Sequence, residues 1–258
     1  MSVQTYRCGM VSRRSWVELI MGLPISVLGR GEGAESGRAD GAVRGVFAEL
    51  TEVDRVFSPY KVDSAVSLLA RDELSWDRVA PVVRAVGERC VAARELTGGL
   101  FDAETPGGTW DPSGLVKGWA VERAGERLRE VADVDWCLNA GGDVLVVCPS
   151  GEPFTVGIQD PRDPGRVIAS VPRIGGAVAT SGTAARGAHL YDPRTCRPVE
   201  TRWLSVSVTG PSLEHADVLA TAAFVAGDEW PAMLLPGYEG LGVLADGNLF
   251  MTAGWGQL

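Results

Sequence analysis

Residues 111–147 read DPSGLVKGWAVERAGERLREVADVDWCLNAGGDVLVV, and a change of period inside this stretch decides the fold. From about Leu115 to Val131, Val116, Ala120, Ala124, Leu128 and Val131 recur in steps of three and four, the stripe of an amphipathic helix. Trp136–Leu138 and Val144–Val147 are then short apolar runs, with Gly141-Gly142-Asp143 between them as a turn. Upstream, Val43, Val46, Phe47, Leu50, Val53, Val56 and Phe57 predict a helix that Ser58-Pro59 stops. Val79, Val82, Val83, Val86, Cys90, Val91 and Leu96 predict another, ended by Gly98-Gly99. Downstream come strands at Phe154–Ile158, Val167–Val171, Ala177–Thr180 and Leu204–Thr209. A late helix follows over Glu214–Val225, then a closing hairpin over Val243–Thr252 with its turn near Asp246-Gly247. At the start, Ile20–Leu28 reads as one strand interrupted by Gly22 and Pro24, and Gly29–Gly41 as a loop. Helices cluster early and strands late, without βαβ alternation, which predicts an α+β fold. We expect a polar lead-in over residues 1–18 and one domain over 19–258.

The chain has 258 residues, 45% hydrophobic and 22% charged, an ordinary globular composition. Its net charge of −9 argues against a bulk electrostatic grip on nucleic acid or an anionic membrane. No apolar run reaches the ~18 residues of a membrane span. Lysine is nearly absent: Lys61 and Lys117 stand against 22 arginines. Five scattered cysteines, without a CxxC, point to neither a disulfide framework nor zinc. The opening MSVQTYRCGMVSRRSW has neither the pattern of a signal peptide nor that of a lipid-attachment site, so the expected location is cytoplasmic.

Five polar, Gly-rich segments exceed what packing requires. Phe101-Asp102 follows a helix end, where an Asx turn explains the acid equally well. Asp111 to Ala120 opens a helix whose free N–H groups cap a side chain or hold a phosphate, with Lys117 in reach; a plain N-terminus with a solvated lysine is the simpler reading. Leu138 to Val144 is first of all a hairpin turn. Thr180-Ser181-Gly182 to Thr195 gathers Ser, Thr, His189 and Asp192 in loop-like sequence, without the GxSxG of a hydrolase. In His215 to Thr221, Asp217 and Thr221 stand four apart on one helix face. Their oxygens are half of a hard-metal site, against the alternative of a dipole-favoured acid and an inward threonine.

In this order, these segments resemble the ApbE family, the FAD:protein FMN transferases. Met21-Gly22-Leu23-Pro24 resembles the family's "MGT/MP" opening, and Phe57-Ser58-Pro59-Tyr60 with Asp63-Ser64 its "FSxY…S". Gly99-Leu100-Phe101-Asp102 resembles "GxFD", Asp111–Ala120 "DxGGxxKGxA" and Asn139–Asp143 "NxGGD". Thr180-Ser181-Gly182 with His189–Thr195 resembles "TSG…HIIDPxTG", and Ala216–Thr221 "ADALAT". The resemblance implies a single T-fold-like α+β domain with a mostly antiparallel sheet and packed helices. It implies Mg²⁺-dependent transfer of the FMN half of FAD to a Thr or Ser hydroxyl of an acceptor protein, with release of AMP. Gly114 (through its carbonyl), Asp217 and Thr221 match the metal ligands. Met21, Tyr60, Leu100, Phe101, Asp102, Asp111, Lys117, Thr180, Ser181 and Tyr191 match the FAD pocket. His189 is the candidate base, since a neutral imidazole suits proton abstraction. The stretch between Asp102 and Asp111 is short for the family, Cys196 stands at a glycine position, and Val218 replaces a small residue. The same pocket would also serve an FAD pyrophosphatase or a non-catalytic flavin-binding protein.

Overall fold

The structure is a computed structural model, described for residues 12–183 and 190–257. Its chain order begins with a hairpin, β1 (Arg13–Ile20) and β2 (Leu23–Arg30). Four helices follow: α1 (Gly37–Phe57), α2 (Ala65–Ala70), α3 (Pro81–Leu96) and α4 (Ser113–Arg129). Then come β3 (Asp135–Ala140), β4 (Asp143–Val147), β5 (Phe154–Asp160), β6 (Asp163–Arg173) and β7 (Gly175–Gly182). The two-residue strands β8 (Tyr191–Asp192) and β9 (Arg197–Pro198) precede β10 (Trp203–Gly210). The chain closes with α5 (Leu213–Ala226), α6 (Trp230–Met233), β11 (Glu239–Leu244) and β12 (Leu249–Met251).

Eight strands form one sheet in the order β1-β2-β3-β4-β7-β10-β11-β12, and every neighbouring pair is antiparallel. The α+β expectation with a mostly antiparallel sheet is met. Helices cover one face. Leu145, Val147, Ala177, Ala179, Val206 and Val208 point into that layer with the apolar stripes of α1, α4 and α5. The β5–β6 hairpin covers part of the other face, where Val144, Val146, Val178, Leu241 and Val243 meet Val156, Ile158 and Val171. Cover on both faces explains why β4 is apolar without alternation after Asp143. Among the described residues, no helix is long and apolar enough to cross a membrane.

The amino-terminal expectations differ from the structure. The predicted single strand Ile20–Leu28 is the last residue of β1, the turn and most of β2 of a hairpin, and residues 13–18 of the expected lead-in belong to β1. Met21 and Gly22 form its two-residue turn, both in the left-handed region (φ 57° and 70°), as a tight hairpin turn demands. Arg13, Arg14 and Glu18 masked the strand, whose inward Trp16 stacks on Trp136 and donates a 2.9 Å hydrogen bond to Asp40. The expected loop over 29–41 is replaced by the end of β2, a short turn and the start of α1. There Ser36 Oγ caps the Ala39 N–H at 3.2 Å, so glycine content hid an ordinary helix start.

Candidate functional site

The site is built where α4 crosses α5 above the ends of β4 and β7. Gly118 sets the crossing. A methyl group there would lie 2.7 Å from the Leu213 carbonyl oxygen and 2.9 Å from Asp217 Cβ, so a larger residue forces the helices apart. The Gly118 N–H donates to Asp217 Oδ2 at 3.1 Å. In a regular helix that N–H is aimed at the carbonyl of Gly114, so this carbonyl and the Asp217 carboxylate converge on one point.

Lys117, the preceding residue, places its ammonium in an ion pair with Asp143 and 3.5 Å from Asp217 Oδ1. Asp143 is delivered by the β3–β4 turn, where Gly141 and Gly142 adopt φ 63° and 106° and the Gly142 N–H donates to Asn139 Oδ1 at 2.9 Å. The other Asp143 oxygen accepts the Thr180 N–H at 3.2 Å. Both carboxylates are out of water, Asp143 at 1% and Asp217 at 3% exposure. Two carboxylates and one ammonium leave one negative charge in excess when both acids are ionised. Burial pushes the Asp217 carboxyl up to about 7; Lys117 pulls it down, and the charge of Asp143 pushes it further up. One helical turn along, Thr221 Oγ1 lies 3.0 Å from Ser181 Oγ. Thr180 Oγ1 lies 2.7 Å from Ser207 Oγ.

A second group of residues lies at the start of α4. Phe101 is buried, and its ring lies 3.1 Å from where a Cβ on Gly114 would stand. Asp102 pairs with Arg94 at 3.0 Å and accepts the Glu104 N–H at 2.9 Å, the Asx turn weighed from sequence. Asp111 accepts the Ser113 N–H at 3.0 Å and so also serves the simpler role of closing a helix start. The Tyr191 hydroxyl donates to the Glu104 carbonyl at 3.1 Å. Burial, then the nearby charges of Asp102 and Asp111, push its phenol up to about 12, so it stays a donor at neutral pH.

The structure thus brings Lys117, Asp217, Thr221, Thr180, Ser181 and Gly114 to one helix crossing, with Phe101, Asp102, Asp111 and Tyr191 beside α4. Leu100 and Met21 are half-buried against the core. Tyr60 stands apart: it is 94% exposed in the turn after α1. His189 lies outside the described residues. Asp143 and Gly118 were not among the candidate residues. The signal for Asp143 was the acid directly after Gly-Gly: the turn reading is right, and it also explains how the acid reaches a buried position. Among the described residues, no group of three or more His, Cys, Asp or Glu side chains forms a metal cluster. Any metal here would rest on Asp217 together with hydroxyl and carbonyl oxygens.

The model of the ApbE family matches residues 103–243 of the chain. A Rhodobacter capsulatus protein named FAD:protein FMN transferase is 36% identical over 169 residues, covering 61% of this chain and 32% of that protein. A Vibrio cholerae protein of the same name is 29% identical over 145 residues, covering 52% and 43%. The chain therefore spans less than half the length of these relatives. The ApbE protein of Thermotoga maritima superposes with a TM-score of 0.81 at 22% identity, over 94% of this chain and 97% of that one. The flavin transferase ApbE of Vibrio cholerae gives a TM-score of 0.75 at 20% identity, over 94% and 98%. At these identities the likeness shows the fold.

Proposed function

Because the chain belongs to the ApbE family, we propose that it transfers the FMN half of FAD to a Thr or Ser hydroxyl of an acceptor protein, releasing AMP. The observation that carries this reading is the buried cluster of Asp143, Lys117 and Asp217, one negative charge in excess when both acids are ionised, with the Ser181–Thr221 hydroxyl pair beside it. The donors fit a magnesium ion: a carboxylate, a hydroxyl and a helix-start carbonyl are hard oxygen ligands, and the excess negative charge favours a cation. Asp217, Thr221 and the Gly114 carbonyl would hold it. When bound, such an ion neutralises pyrophosphate oxygens and stabilises the leaving phosphate.

The chain's own residues supply binding and orientation. Lys117 presents a cation to a phosphate at the start of α4. Ser181 orients the Thr221 hydroxyl. The Tyr191 phenol and the Asp102 and Asp111 turns line the approach to the same helix start. The acceptor hydroxyl oxygen attacks the FMN phosphorus, the bond to the AMP oxygen breaks, and AMP leaves. His189 is the proposed acceptor of the hydroxyl proton. A cytoplasmic setting belongs to the same proposal.

The test is incubation with FAD, Mg²⁺ and an acceptor domain carrying a Thr flavinylation motif, read by in-gel flavin fluorescence with AMP assayed in parallel. A fluorescent acceptor band that EDTA abolishes is the expected result. Free FMN and AMP without a band would replace the reading with a pyrophosphatase. Binding of FAD without turnover would leave a flavin-binding protein.

A further inference from the structure

We infer that Asp143 is a positioning residue: its carboxylate holds the Lys117 ammonium to one side of Asp217 and so keeps Asp217 available to a divalent cation. The inference rests on the metal reading of Asp217 and Thr221 above and names the residue that makes this reading workable.

Lys117 is next in sequence to Gly118, whose N–H anchors Asp217. From there its side chain reaches both buried acids. An ammonium 3.5 Å from Asp217 Oδ1 is a built-in rival for any cation that this oxygen would ligate, because two positive charges compete for one buried anion. The arrangement resolves the rivalry by geometry. Asp143 Oδ2 takes the ammonium as an ion pair, while the looser approach is to Asp217. Asp143 is fixed for this purpose. The Gly141-Gly142 turn delivers it, and the Thr180 N–H holds its other oxygen. Asp217 is fixed independently, by Gly118 on its Oδ2. The end of β7 sets both sides of the device: Thr180 holds the anion that retains Lys117, and the adjacent Ser181 holds the Thr221 hydroxyl. Without the charge of Asp143, the pull of this pair of acids on the ammonium comes from Asp217 alone, and Lys117 competes more strongly with a divalent cation for that carboxylate.

The experiment measures binding of Mn²⁺ alone, by loss of the free-ion EPR signal, with thermal melting to verify folding. Asp143→Asn keeps the side-chain shape and an acceptor for the Thr180 N–H. It should weaken Mn²⁺ binding by about tenfold or more. Lys117→Met should bind at least as tightly as the unsubstituted protein. The pair Asp143→Asn with Lys117→Met, which removes both charges and avoids an unpaired one, should restore binding to within about threefold. Asp143→Glu should retain most of the affinity. If the double variant is as weak as Asp143→Asn, Asp143 acts as a ligand or as a structural support, and the inference is overturned. Unchanged binding in Asp143→Asn, with binding lost in Asp217→Ala, leaves the metal reading standing and overturns the inference alone. No Mn²⁺ binding by the unsubstituted protein overturns both.

Discussion

Asp135 on β3 and Asp217 on α5 are both buried carboxylates, 4% and 3% exposed, yet their acidities move in opposite directions. Burial acts to raise both. At Asp135 it is outweighed: Ser150 donates through its N–H at 3.0 Å and its hydroxyl at 2.6 Å, and Arg30 donates through Nε and Nη2 at 3.2 and 2.9 Å. The carboxyl is held below its ordinary value, and one cation answers one anion. At Asp217 one N–H and a shared lysine do not offset burial, the second acid repels, and the carboxyl rises to about 7. The difference lies in partners rather than depth. A buried acid with a full set of donors holds structure together. One left short, beside a second acid and a Ser–Thr hydroxyl pair, suits the cation proposed for this site.

The largest expected effect separates the two acids by function. Asp217→Asn should lower metal-dependent FAD turnover by about a thousandfold or more, as loss of a ligand to a charge-neutralising cation implies. The metal-free protein should be no less stable, since a poorly satisfied buried charge is removed. Asp135→Asn should do the reverse. It leaves Arg30 buried without its anion and costs about 3–5 kcal/mol, with activity per folded molecule unchanged. Urea denaturation and steady-state assays of both variants check the crossing. A stability loss in Asp217→Asn equal to that in Asp135→Asn would erase the distinction. The pH dependence of the Asp135 effect has a definite sign. Its folded pKa lies below the unfolded value of about 4, so its contribution is fully present above that pH and is lost as pH falls through the folded value. The gap between wild type and Asp135→Asn should therefore close in acid.

Gly118→Ala sharpens the comparison at the backbone. The added methyl meets the Leu213 carbonyl at 2.7 Å and Asp217 Cβ at 2.9 Å, so α4 and α5 must separate. Overpacking of this kind costs about 1–3 kcal/mol. Here it should also loosen the Gly118–Asp217 bond and weaken Mn²⁺ binding, whereas an alanine at Gly37, with open space around it, should do neither. Equal melting temperatures and Mn²⁺ affinities for Gly118→Ala and wild type would show that the crossing has slack.

How far the sequence carried these assignments follows from the range of the interactions involved. The helix stripes of α1, α3 and α4 and the β3–β4 turn were legible because period and turn chemistry are local. β1 was not, since charges at Arg13, Arg14 and Glu18 outweighed an alternation that only pairing with β2 completes. The pairing of Asp217 with Thr221 was readable from a spacing of four. Its coupling to Lys117 and Asp143 was not, because three elements far apart in the chain meet there. Asp143 itself was visible only as the end of a turn. Its burial depends on β7, whose Thr180 N–H fixes it.

The smallest predicted effect concerns Cys196, in the turn between β8 and β9. Its φ is 53°, in the left-handed region, at the position where the motif it resembles carries glycine. A non-glycine residue there costs about 1–2 kcal/mol. Glycine relieves that strain but adds roughly 0.5–1 kcal/mol of unfolded-chain entropy. Cys196→Gly should therefore stabilise the protein by about 0.5–1 kcal/mol, a rise in Tm of about 1–3 °C for a chain of this size. Loss of the weak 3.8 Å thiol contact to the Pro193 carbonyl works slightly against the gain. Cys196→Ala is the control: it removes the same thiol but keeps a Cβ, and should give no rise. Equal Tm changes in the two variants would assign the effect to the thiol and leave the backbone argument without support. A rise confined to glycine would show that this loop carries its strain in one dihedral angle, unlike the α4–α5 crossing, where the strain is electrostatic and several residues share it.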